Sequence, residues 1–233
     1  VEWEKTFGGG VWDFAVSVRQ TMDGGYIIAG TTESYGAGGG DAYLVKTDAS
    51  GNKEWEKTFG GSGSEAANSV LQTTDGGYII VGWTSSYGVG GGDIYLVKTD
   101  ASGNKEWDKT FGGSGGEEAW SVEQTTDGGY IIAGSTASYG AGINDIYLVK
   151  TDASGNEEWE KTFGGSNNDY AYSVQQTTDG GYIIAGGTTS YGAGSDDIYL
   201  VKTDASGNEE WEKTFGGSNF EYAAFVQQTT DGG

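Results

Sequence analysis

The 233-residue chain contains no proline, no cysteine and no histidine. Without imidazole or thiol there is no Ser-His-Asp triad, no thiolate nucleophile, no Cys/His zinc site, no haem histidine and no disulfide. Any catalysis would rest on carboxylates, lysine, tyrosine or hydroxyls. Basic residues are scarce too: 12 Lys and Arg stand against 34 Asp and Glu, a net charge of -22. Such a surface repels phosphate backbones and anionic lipid, so neither nucleic acid nor membrane is expected as a partner. Long apolar runs are missing, and stretches such as Tyr78–Val81 fall far short of a membrane span. No basic-then-apolar leader precedes Val1, which reads as a processed secreted product or an excised piece.

What the chain has in excess is glycine, 45 residues, together with 13% aromatics. A flexible Gly-rich linker lacks large apolar side chains, so an ordered protein with many tight turns is expected. Trp3, Trp55, Trp107, Trp159 and Trp211 each open W-E/D-K-T-F-G-G, and each is 52 residues from the next. The boundaries are a lead-in over 1–9, repeats over 10–61, 62–113, 114–165 and 166–217, and a partial repeat over 218–233.

Each repeat holds four short segments rich in β-branched and aromatic residues, separated by Gly, Asp, Asn and Ser, with no helical period. In the second repeat, strand A is expected at Ser69–Thr73, B at Tyr78–Gly82, C at Ile94–Thr99 and D at Trp107–Phe111. Asp75-Gly76 and Ser102-Gly103-Asn104 suit tight hairpins, pairing A with B and C with D in a meander. Strand C is apolar on both faces, so its sheet needs neighbours on both sides. Identical sheets packed face to face meet that need, and the expected fold class is an all-β propeller of four-stranded antiparallel blades. A calcium-binding nonapeptide roll is set aside because later copies replace its glycines with Ile143-Asn144 and Ser195-Asp196. A leucine-rich or helical solenoid lacks its helices.

Through D-G-G-Y-I-I-A-G, D-I-Y-L-V-K-T-D and D-A-S-G-N-x-E-W the whole chain resembles the tandem propeller repeats of secreted bacterial and archaeal proteins. The turn from Asp48 through Gly51 to Trp55 is similar to the tryptophan-docking turn of quinoprotein propellers, but one residue shorter between Asp and Gly. The resemblance implies a binding or surface module, outside the cell or on its surface, and no particular ligand or cofactor.

Five full units would need 27 residues more than are present. The expectation is a five-bladed ring with an incomplete closing blade, its strand D at 1–9 and its strand A in 218–233. A longer ring or array is the competing account. Unpaired edges there would invite a homo-oligomer or a complementing segment.

Twelve tyrosines, five tryptophans and five phenylalanines occupy repeat slots and are expected in the core. The others vary between copies: Trp12, Phe14, Trp83, Trp120, Tyr170, Tyr172, Phe220, Tyr222 and Phe225. They fall in the D-to-A and B-to-C connections or strand A, which in a meander emerge on one rim. Variable loops on a fixed scaffold are where binding usually lives. An acidic residue also opens every strand A: Asp13, Glu65, Glu117, Asp169 and Glu221. These could form an acidic ring for a hard cation or a carboxylate pair for glycoside hydrolysis. The plainer reading is turn capping, which also covers Asp41, Asp48 and their equivalents. Lys46, Lys57 and their equivalents read as exposed strand positions or weak local charge partners. The functional expectation is a non-enzymatic extracellular binding or structural scaffold, natural or engineered, for a protein or glycan ligand; the alternatives are a lectin and a carboxylate glycosidase.

Overall fold

The computed structural model describes residues 2–230. The chain divides into two compact units, Val1–Phe111 and Gly112–Gly233. In the first, β1 (Asp13–Gln20), β2 (Tyr26–Thr32), β3 (Asp41–Thr47) and β4 (Lys53–Phe59) make one antiparallel sheet. A second follows from β5 (Glu65–Gln72), β6 (Tyr78–Thr84), β7 (Asp93–Thr99) and β8 (Lys105–Phe111). The other unit repeats this with β9 (Glu117–Gln124), β10 (Tyr130–Thr136), β11 (Asp145–Thr151) and β12 (Glu157–Phe163), then β13 (Asp169–Gln176), β14 (Tyr182–Thr188), β15 (Asp197–Thr203) and β16 (Glu209–Phe215). Neighbours in sequence are neighbours in the sheet throughout.

Strand A begins at its acidic residue, four positions earlier than expected. A β-bulge is the reason. Ala67 and Ser69 face Gly82 and Val81, so Asn68 is an extra residue that breaks the two-residue alternation. Val16, Trp120 and Tyr172 are the extra residues of the other three sheets. Opposite each bulge stands the glycine of I-I-A/V-G. A Cβ on Gly82 would collide with the Ala66 carbonyl oxygen, and Gly30, Gly134 and Gly186 face the same oxygen in their own sheets.

Within each unit the two sheets pack face to face. Ile27, Ala29, Leu44 and Phe59 of the first sheet meet Val70, Tyr78, Ile80 and Val97 of the second. In the other unit Ile131, Ala133, Leu148 and Phe163 meet Val174, Tyr182, Ile184 and Val201. Trp55 crosses to the next sheet, its ring 5.7 Å from Tyr78 and against Gly103 of the C-to-D hairpin. Gly103 has a φ of 75°, so the turn and the indole contact both call for glycine. The Tyr35 slot is not core as expected: Tyr35, Tyr87, Tyr139 and Tyr191 are about 40% exposed. Each donates its hydroxyl at the surface to the carbonyl of Gly8, Gly60, Gly112 or Gly164.

A second correction concerns Lys46, Lys98, Lys150 and Lys202, expected at the surface. Lys98 is 3% exposed. Its ammonium lies 2.8 Å from Asp75 of the A-to-B turn and 2.9 Å from Glu106 on β8, and donates to the Thr99 carbonyl. One side chain thereby ties together both hairpins of its sheet, and the other three copies do the same.

The expected terminal strands are not formed. Among the described residues there is no strand before β1 or after β16; Val1 and residues 231–233 lie outside them. A strand exists as a hydrogen-bonded ladder, and neither segment has a partner strand of its own sheet. Both still occupy blade-like places. Trp3 sits 5.8 Å from Tyr26, as Trp55 does from Tyr78. The Val226 amide donates to Ser173 Oγ at 3.1 Å, as Val174 does to Ser121 at 3.2 Å.

Two outcomes are expected. Gly82→Ala should cost about 1–3 kcal/mol by overpacking, whereas Gly116→Ala, where a Cβ meets open space, should be near neutral; urea unfolding of both variants checks this. Burial raises the Asp75 carboxyl, but its hydrogen bonds with Lys98, Thr73 and Gly77 outweigh that and hold it down to about 2. Its contribution to stability is therefore present above the ordinary aspartate value of about 3.8 and is lost as pH falls towards 2. Melting temperature should drop over that window in the native chain, and Lys98→Met should flatten the drop.

Candidate functional site

The D-to-A and B-to-C connections meet at one end of the sheets within each unit. In the first, the Gly39 amide donates to Gly63 and the Glu65 amide to Gly40; in the second, Ile143 donates to Asn167, Asp169 to Asn144 and Glu221 to Asp196. The T-D-G-G and D-A-S-G-N turns lie at the other end, held by the lysines and by Asx turns in which Ser50 and Asn52 amides donate to Asp48.

The acids that open strand A fasten the connections of their own repeat. Glu65 Oε2 accepts the Gly61 amide at 2.8 Å, and Oε1 accepts Thr84 Oγ1 at 2.7 Å and the Ser86 amide at 3.1 Å. Glu117 repeats this with Gly113, Thr136 and Ser138. Asp13 accepts from Gly9, Thr32 and Ser34, and Glu221 from Gly217. Asp169 is one methylene shorter than Glu65. Its Oδ2 accepts the Gly165 amide and Ser190 Oγ, but Oδ1 is buried without a partner. A buried acceptor left unmatched costs stability. Among the described residues, no three Asp or Glu side chains are grouped as a metal site would need.

Strand A also carries the variable aromatics, and the second unit brings five of them together. The Trp120 ring lies 5.3 Å from Tyr172 and 6.2 Å from Tyr170, and Tyr170 stacks on Tyr172 at 6.3 Å. Tyr172 meets Tyr222 at 5.8 Å, and Tyr222 meets Phe220 at 5.5 Å. The stripe runs from half-buried Trp120 to Tyr222 and Phe220, both more than half exposed. Its geometry follows from the bulges: Trp120 and Tyr172 are the extra residues of β9 and β13, two strands that lie side by side. A bulge re-aims its side chain away from the regular pleat.

Polar groups border the rings. Burial pushes the phenols of Tyr170 and Tyr172 up, and the nearby charge of Asp196 adds to both. Glu118 also acts on Tyr172. Asn144 hydrogen-bonds Tyr170 and donates to Asn168 Oδ1 at 2.8 Å. The sequence reading passed over Glu118 and used Asn144 and Asp196 only to set aside a calcium-binding roll, although a signal for the site was there. The slot that holds Gly40 and Gly92 in the first unit holds Asn144 and Asp196 in the second.

In the first unit, Trp12 and Phe14 are exposed at the start of β1 and Trp83 is half-buried on β6. Among the described residues, no ring pair joins any of the three to another aromatic. Phe14 instead borders a cavity over the outer face of β1–β3, with Val18, Tyr26 and Val45.

No protein-family model matches the chain. Among solved structures it is similar to the WD40 domain of Neurospora crassa Pan2, with a TM-score of 0.54 at 9% identity over 91% of this chain and 68% of that one. The fold is a β-propeller. A Bacteroides caccae protein of unknown function aligns with a TM-score of 0.47 at 12% identity, over 88% of this chain and 70% of its own. In sequence, the chain is 26% identical over 205 residues to the regulatory protein FlaEY of Caulobacter vibrioides. That match covers 78% of this chain and spans about one fifth of the FlaEY length, 20%.

The unmatched oxygen on Asp169 gives a direct test of the capping role. Asp169→Glu should reach Thr188 Oγ1 and the Ser190 amide as Glu65 reaches theirs, raising stability by about 1 kcal/mol. Differential scanning calorimetry would register this as a higher melting temperature, and a lower one would refute it.

Proposed function

We propose that the chain is a non-enzymatic binding module of the extracellular space or cell surface, and that Trp120, Tyr170, Tyr172, Phe220 and Tyr222 are its ligand platform. The observation that carries this reading is the ring-to-ring chain drawn from three successive copies of a repeat whose other slots barely change. A packing role alone would favour the same residue in each copy. Here the bulge slot holds Val16, Asn68, Trp120 and Tyr172 in turn, and the platform ends in exposed rings. Trp and Tyr supply large rigid contact area with a polar tip, the composition favoured at binding hot spots. The FlaEY relative, a regulatory protein by name, is compatible with a role exerted through binding.

A carbohydrate is the ligand class that the neighbours favour. Flat rings flanked by Glu118, Asp196 and Asn144 offer stacking faces beside hydrogen-bond acceptors and an amide, the pairing that sugar hydroxyls and C–H faces need. The carboxylates of strand A lend no support to the glycosidase reading, since Glu65 and Glu117 are occupied by amides and hydroxyls on both oxygens. A glycan array followed by titration calorimetry tests the platform. Trp120→Ala should weaken binding about tenfold or more while the melting temperature stays near that of the native chain. Full affinity in Trp120→Ala and Tyr222→Ala would sink the platform; silence across the array would remove the carbohydrate reading.

A further inference from the structure

The rings of the second unit stand among acids that the repeat does not require. The acid that opens strand A recurs in every copy, but two others occur once each. Glu118 fills a slot that holds Phe14, Ala66 and Tyr170 in the other sheets, and Asp196 one that holds Gly40, Gly92 and Asn144. Burial pushes the Tyr170 and Tyr172 phenols up and the charge of Asp196 adds to both, which sets that carboxylate beside the two rings. Asp196 is half-buried. Its backbone carbonyl accepts the Glu221 amide, but among the described residues nothing donates a hydrogen bond to its carboxylate.

No cation of this unit offsets these acids. The unit has four basic residues, Lys150, Lys161, Lys202 and Lys213. Lys150 is held at the turn end by Asp127 and Glu158, and Lys202 by Asp179 and Glu210. Lys161 donates to Asn208 of a D-A-S-G-N turn at 3.4 Å, and Lys213 fills the same slot on β16. The three bonded lysines thus reach the end opposite the rings. At the ring end, the Trp120 plane stands at 82° to Tyr170 and 62° to Tyr172, whose own planes lie within 20° of parallel. Ring faces therefore look in two directions from one spot, and the negative face of an aromatic ring attracts a cation, that of tryptophan most strongly.

We infer that the platform takes an amino sugar with a free, protonated amine, its C–H face on Trp120 and its ammonium directed to Asp196. This rests on the carbohydrate reading of the same rings and adds the charge of the ligand. Ring faces, a carboxylate without a donor and the Asn144 amide match the apolar surface, the ammonium and the hydroxyls of such a sugar. A basic peptide offers the same charge, but an extended peptide gains affinity through main-chain pairing. At this rim the amides of Asp169, Thr189 and Glu221 and the carbonyls of Asn144, Asn168 and Asp196 are already paired with one another. An acidic sugar meets only repulsion here.

Titration calorimetry with three short oligomers of equal length is the test: glucosamine with free amines, its N-acetylated counterpart, and lysine. The native chain should bind the free-amine sugar about tenfold more tightly than the acetylated one, and the gap should narrow as salt rises from about 0.01 M to about 0.3 M. Trp120→Ala should weaken both sugars, whereas Asp196→Asn should weaken the free-amine sugar alone. Asp196→Gly, which restores the residue of Gly40 and Gly92, serves if the asparagine variant misfolds. Each change removes one of 34 acidic residues, so attraction by overall charge hardly alters; Glu33→Gln, at an exposed acid of the first unit, should leave affinity native. Equal affinity for the two sugars, lost in Trp120→Ala, overturns this inference and keeps the platform. Binding that ignores both Trp120→Ala and Asp196→Asn overturns both. Failure of the free-amine sugar to bind overturns the inference, as does a lysine oligomer bound as tightly and with the same response to the variants.

Discussion

The structure turns on a buried ammonium. In every repeat the lysine of D-x-Y-L-V-K-T-D brings its charge to one end of the sheet, where it meets a turn aspartate, a strand-D glutamate and its neighbour's carbonyl. Desolvation alone would make Lys98 easier to neutralise, but its hydrogen bonds with Asp75 and Glu106 outweigh that and its pKa is raised. The arrangement is favourable because only the cation is enclosed. The side chains of Asp75 and Glu106 remain 60% and 47% exposed, so most of their hydration survives. A fully buried pair would give up the hydration of both charges and gain far less. With the A-to-B and C-to-D hairpins fixed to each other there, all four strands are held in register from one end.

Fixing that end leaves the opposite rim free to vary. The connections at the rim are joined largely by backbone hydrogen bonds and by the acid that opens strand A, so neither depends on which side chain occupies the bulge. The requirement falls instead on the facing glycine, which lets the bulged strand approach at Gly30, Gly82, Gly134 and Gly186. The extra residue itself varies: it is valine, asparagine, tryptophan and tyrosine in the four sheets. The scaffold thus separates the residues that hold the fold from those that can acquire a ligand, although they are adjacent in the chain.

Most of the fold could be read from the sequence because its signals are local. The 52-residue period, the turn dipeptides and the two-sided apolar strand C lead to four-stranded meanders packed face to face. What escaped depends on context. Lys98 looks like any charged strand residue until the aspartate from one hairpin and the glutamate from the other converge on it. Tyr87 repeats as faithfully as Tyr95, yet one reaches a surface carbonyl and the other a core site; repetition marks a structural role without giving depth. Trp3–Phe7 has the composition of strand D, but a strand needs a ladder and the lead-in has none. Of the nine aromatics chosen for their variability, five come together, whereas among the described residues Trp12, Phe14, Trp83 and Phe225 do not join them. Variability identifies residues released from the scaffold, whereas adjacency of β9 and β13 decides which of them can act jointly.

Near-identity of repeats has a further physical consequence. A blade built to fit its successor also fits any other copy of that successor, so a chain of such blades carries complementary surfaces wherever a face is uncovered. Single-domain proteins suppress such contacts by making each internal surface unique. This chain has little of that means, since Leu200 and Phe215 repeat Leu44 and Phe59. The restraint left to it is long-range repulsion from a charge of -22, which acts between all copies alike and weakens with ionic strength. The copies differ chiefly at the rim, where the bulge slot and its neighbours hold a different side chain in each repeat, so the rim is the part of the scaffold that distinguishes one blade from the next.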